Sequence, residues 1–158
     1  MEGFDETRFC NMLEERLNEE WDEVVKEAEK RQREKLAELE EKIKIWEDLG
    51  PPSFDKMVLY HEGEKRLFNL KEALKSVKER GVRRVFVIVH REGGKAYRIG
   101  TLTIEVDDTL KSLREALNKR YEDLLKEYER VKKNLLQFID WEHLKKIGEM
   151  AALKKQIC

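Results

Sequence analysis

The stretch Val82–Val106, VRRVFVIVHREGGKAYRIGTLTIEV, decides how this chain is read. Apolar residues run together here without helical spacing, and β-branched side chains, which suit a pleated strand, are abundant. Two strand-like runs flank Glu92-Gly93-Gly94-Lys95. Paired glycines at that point signal a tight hairpin, because both central residues of a type I′ turn need positive φ. With Gly93-Gly94 as the turn, Phe86, Ile88, His90, Tyr97 and Ile99 share one face. After Gly100 the apolar set becomes Leu102, Ile104 and Val106, a change of parity that a β-bulge at Gly100 would absorb. The other face then carries Val85, Val87 and Val89 with Thr101, Thr103, Arg83, Arg91 and Arg98.

Working outward, residues 54–106 read as a small α+β head. Met57–Tyr60 and Arg66–Phe68 form two short strands around a turn. Asn69 followed by Glu72 fits a capping box, Leu70, Ala73, Leu74 and Val77 give a helix its apolar face, and Gly81 stops it. The face holding Phe86 and Leu102 is expected to pack beneath that helix. The β-β-α-β-β order resembles a β-grasp arrangement.

Long helical patterns lie on both sides. Residues 5–49 read as a first stalk helix, with Asp5 as N-cap, Phe4 and Phe9 as a hydrophobic staple, and Gly50-Pro51-Pro52 as the stop. Its stripe from Phe9 through Trp21 to Trp46 repeats about every 3.7 residues, close to a straight helix. Residues 107–157 read as a second stalk helix starting at Asp107 or Asp108. It either runs on or kinks near Asp140, where FIDWEHL can begin a new helix and fold back into a three-helix bundle. The spans 5–48 and 108–151 are equally long, which predicts two antiparallel helices in a coiled-coil-like stalk with the head inserted between them. In that register Trp46 lies near Leu110 and Phe9 near Ile147 or Gly148, with Trp21, Trp46 and Trp141 in the seam.

Composition agrees with long amphipathic helices: 42% of the 158 residues are charged and mean hydropathy is -0.76, without Pro, Gly or Ser tracts. Abundant Lys and Glu with little Gln is a thermophile-like bias. The net charge of -1 excludes a generally basic nucleic-acid binder. Its distribution is uneven: residues 1–49 hold 9 basic and 17 acidic side chains, whereas 50–106 hold 12 and 7. No apolar run reaches the roughly 18 residues of a membrane span, and the acidic start is unlike a secretory leader. A cytoplasmic setting follows, in which Cys10 and Cys158 are expected to be reduced thiols, disulfides inside cells being a hyperthermophile habit.

Candidate chemistry is sparse. His61, His90 and His143 lie in different elements with no second ligand at metal spacing, so neither a zinc site nor a cofactor is expected. Gly93-Gly94 is not followed by the Lys-Ser/Thr of a phosphate loop, and no nucleophile–base pair can be placed, which argues against an enzyme. The basic runs Lys30–Lys35 and Arg130–Lys133 read as solvated helix faces. What stands out is the valine strip bordered by arginines: Arg83, Val85, Val87, Val89, Arg91 and Arg98. Arginines on a rigid sheet can meet an anionic partner, but the favoured reading is that the valines pack on a helix arm or a second subunit while the arginines pair with stalk glutamates. The reading is a structural or protein–protein interaction protein, a scaffold or adaptor that forms a homodimer or binds another protein. The alternative is a nucleic-acid-binding accessory protein using the same face.

Overall fold

The computed structural model describes residues 5–158 and is an α+β protein. In order come α1 (Glu6–Asp48), β1 (Val58–His61), β2 (Arg66–Phe68), α2 (Leu70–Arg80), β3 (Arg84–Glu92), β4 (Lys95–Ile104), α3 (Leu110–Lys133), a 3-10 turn (Leu135–Phe138) and α4 (Trp141–Ile157). The chain divides into two compact units. One combines the segment up to Glu38 with Tyr128–Cys158, the other is Leu39–Glu127.

The second unit is built on an antiparallel sheet of order β2-β1-β3-β4. Gly93 and Gly94 take φ of 58° and 78°, as their turn requires. Ile88 pairs with Gly100 but Val89 pairs with Arg98, so Ile99 is the extra residue of a bulge. That insertion brings Leu102 and Ile104 onto the face of Phe86 and Ile88, and all four are buried. Leu59 and Phe68 add the inward positions of β1 and β2. Over this face lies α2, capped by the Asn69 side chain, which accepts from the Glu72 N–H at 2.8 Å, and ended by Gly81 at φ 66°. Glu72 does not complete the capping box; its carboxylate pairs with Arg66 at 3.3 Å.

The remainder of this core comes from outside residues 54–106. Leu49, Leu113 and Leu117 are buried with Phe86, and Trp46, Leu110 and Tyr121 pack against the cluster. The first three turns of α3 therefore serve the sheet, which corrects the expectation that Leu110 lies beside Trp46 in a helix–helix seam. Tyr121 is the residue level with the end of α1, its hydroxyl donating to Glu47 at 2.9 Å. Burial, reinforced by that carboxylate, raises the Tyr121 pKa. The loop from Leu49 to Met57 is held by α3, since Arg114 Nε donates to the Ser53 carbonyl at 2.9 Å and Asn118 Nδ2 to that of Pro52 at 2.8 Å. Phe54 sits in this loop at φ 54°, a strained conformation for a phenylalanine, and its fully buried ring compensates.

In the first unit α1 meets the returning chain in antiparallel sense. Gln32 Nε2 donates to the Val131 carbonyl at 2.9 Å, Glu20 meets His143 at 2.5 Å, Glu14 meets Lys154 at 3.8 Å, and Cys10 is disulfide-bonded to Cys158. The disulfide corrects the expected free thiols. With the first turns of α3 committed to the sheet, the pairing runs past the predicted Phe9–Ile147 match, and Cys158 becomes the neighbour of Cys10. Gln32 meets α3 at its last turn, where the Val131 carbonyl also accepts from the Asn134 N–H at 3.4 Å. A new helix begins at Asp140, whose carboxylate accepts from the His143 N–H at 3.1 Å. Burial is thin in this unit, with Val24, Ala28, Val131 and Ile147 its buried apolar residues among those described. Trp21 and Trp141 are 49% and 60% exposed, so of the three tryptophans assigned to the seam only Trp46 packs against a core. Phe4 of the expected staple lies outside the described residues.

Candidate interaction surface

The strands expose a second face. Across one row, Leu67 faces Tyr60, Tyr60 faces Val87 and Val87 faces Thr101; in the next, Val58 faces Val89 and Val89 faces Arg98. Val85 pairs with Thr103 beyond them. None of these side chains belongs to the buried core: Val85 is 52% and Leu67 40% exposed, while Val58, Tyr60, Val87 and Val89 are half-buried. One face of the sheet is thus packed and the other presents short apolar side chains to solvent.

The sequence-derived candidates divide over this surface. Val85, Val87 and Val89 lie on it as consecutive outward positions of β3, and Arg98 is opposite Val89. Arg91 is paired with Ala96 toward the hairpin turn, exposed and on the same side. Arg83 precedes β3 and contacts Glu105 at 3.7 Å, so its charge is already met in part. Tyr97 is on the opposite parity, paired with His90. The free edge of β4 is engaged by α3, where Arg120 Nη1 donates to the Thr101 carbonyl at 2.8 Å.

Sequence reasoning passed over Arg84. It occupies an inward position, two residues before Phe86, and is 7% exposed. Its guanidinium donates to Ser76 Oγ at 2.6 Å and to His61 Nδ1 at 3.0 Å, and lies 3.1 Å from Glu64 Oε1. That oxygen makes no hydrogen bond of good geometry and is held by the charges of Arg84 and Arg80. Burial would raise the Glu64 carboxyl, but the bond and charge of Arg84, with Arg80 beside it, outweigh burial and hold the carboxyl below its usual range. His61 Nδ1 accepts from both Arg84 and the Glu64 N–H at 3.1 Å, which places the ring proton on Nε2. Burial first, and the Arg84 charge second, lower the His61 pKa. Apart from Glu64 Oε1, which is held by charge, the groups of this network are hydrogen-bonded to one another, so it clamps α2 and the β1–β2 turn to β3. The available signal was parity alone: an arginine in register with Phe86, Ile88 and His90.

A third cluster lies between α1 and α4, where ligand atoms of Glu20, Glu23 and His143 come within 4.8 Å of one another. Glu20 accepts from Arg16 at 3.0 Å as well as meeting His143, and the His143 bond lowers its pKa despite partial burial. Glu20 is thus engaged through both carboxylate oxygens, Oε1 toward Arg16 and Oε2 toward His143. The sequence contains no spacing that joins these residues.

Among the described residues no helix is long and apolar enough to cross a membrane. Comparison with protein-family models, with curated proteins and with solved structures found no match.

Proposed function

We propose that the chain is a cytoplasmic scaffold or adaptor whose work is protein–protein interaction, with the open sheet face as its contact surface. The observation that carries this reading is the packing asymmetry of the sheet: every buried residue of the strands is on one face, and a continuous strip of valine, tyrosine and leucine faces solvent on the other. A sheet with an apolar outer face is stabilised by covering it with a helix or a second sheet. The occupant we assign is a second copy. Its residues 1–49 are acidic and the segment 50–106 is basic, so reciprocal contacts between acidic helix and Arg-bordered face would close a two-fold dimer. In this reading the antiparallel helices act as a coiled-coil-like stalk; the likeness to a β-grasp is one of element order alone.

Sedimentation velocity across a concentration series tests it. A reversible dimer is expected, weakened at high salt and abolished by Val87→Glu or by Arg98→Glu, each with unchanged circular dichroism. A monomer at all concentrations overturns the self-association. A salt-dependent mobility shift of an oligonucleotide that disappears in the Arg83, Arg91 and Arg98 triple alanine variant would instead support the nucleic-acid reading.

A further inference from the structure

The seat of α4 on α1 combines light burial with one covalent bond, Cys10–Cys158. Along its 17 residues α4 buries only Ile147, while Trp141, Leu153 and Ile157 remain 60%, 46% and 38% exposed. Its polar ties are the Glu20–His143 bond and the Glu14–Lys154 pair at 3.8 Å, the latter with Glu14 60% exposed. Exposed ion pairs of that length contribute little, and a helix of this size is marginal when detached. The chain is also broken just before it: α3 ends at Lys133, and the 3-10 turn Leu135–Phe138 starts at Asn134 without a side-chain cap. A hinge, a lightly buried helix and a disulfide at the far end of that helix occur in sequence.

From this we propose that Cys10–Cys158 is a redox latch that controls whether α4 stays docked. Cys158, which caps α4, is exposed, whereas Cys10 in the second turn of α1 is half-buried. A thiolate of an external dithiol attacks the accessible Cys158 sulfur, the S–S bond breaks, and Cys10 leaves as a thiolate that takes up a proton. The second thiol of the reductant then resolves the mixed disulfide. The protein gains two electrons and two protons as two thiols, and the dithiol is oxidised to its cyclic disulfide. With the bond open, α4 swings on residues 134–140 and uncovers the surface around Ile147. The latch belongs to the helical unit and is independent of the sheet face proposed above.

Hydrogen exchange on the full chain, oxidised and after treatment with dithiothreitol, tests the latch. Amides of residues 141–157 should exchange at least tenfold faster in the reduced protein, while β3 and β4 keep their protection; Cys10→Ser and Cys158→Ser should each reproduce the reduced pattern without reductant. Reoxidation of the wild type should restore the slow exchange. Equal protection of α4 in both states overturns the proposal, as does finding two titratable thiols in the folded protein after oxidation.

Discussion

Replacing Arg84 by methionine keeps much of the aliphatic volume of the side chain and removes its charge. Arg84 is 7% exposed and its guanidinium serves Ser76, His61 and Glu64 together, so the variant removes a donor from all three, although His61 keeps the Glu64 N–H and Glu64 keeps Arg80. Breaking a buried ion pair by removing one member costs about 3–5 kcal/mol, because the other charge stays behind unpaired. Glu64 is 21% exposed and retains Arg80, which lowers the expectation to about 2–4 kcal/mol. Urea unfolding at neutral pH with the disulfide intact measures this as a shift in midpoint at constant slope. The decisive comparison is the double variant Arg84→Met with Glu64→Gln. If the loss comes from an uncompensated carboxylate, the double variant should be less damaged than the two single losses added together, by about 1 kcal/mol or more. A single loss under about 1 kcal/mol, or simple additivity, would refute the account of Arg84 as the clamp of this network.

Leu117→Ala should cost about 2–5 kcal/mol in the same unfolding assay, since Leu117 is fully buried beneath the sheet. Leu125→Ala, at a 37% exposed position of the same helix, should stay within about 1 kcal/mol; equal effects would mean that the first turns of α3 do not belong to that core. Acid should destabilise the protein in two stages. Because the folded His61 pKa is depressed, the unfolded chain takes up a proton first; that stability is complete above the ordinary value of 6.5 and declines as pH falls below it. Glu20 and Glu64 are also depressed, so their contribution is present above 4.5 and lost below it. Thermal melts between pH 8 and 3 check the order, and a melting temperature that rises from pH 7 to 5 would contradict it.

Much of the fold was legible residue by residue. The double glycine announced the hairpin, and the parity change past Gly100 announced the bulge, because a side-chain period of two leaves no other way to bury Leu102 with Phe86. Asn69 and Gly81 marked the ends of α2, and Gly50 with the two prolines marked the end of α1. The outward valines of the candidate surface follow from the same alternation. What could not be read was the destination of each apolar stripe. Leu110, Leu113, Leu117 and Tyr121 have the same spacing whether they cover a sheet or another helix, and the wrong choice moved the register of everything after them. That shift hid the meeting of Cys10 with Cys158 and of Glu20 with His143. Arg84 was missed because residue type was weighed above position, although its parity placed it inside.

The bond between Cys10 and Cys158 turns a linear chain into a covalent ring that encloses both compact units. A protease that cuts once inside the ring, for example in the exposed turn at Gly93-Gly94, opens it without releasing a fragment. The nicked molecule stays in one piece until a reductant separates the fragments, one carrying β1, β2 and β3 and the other β4, held beside β3.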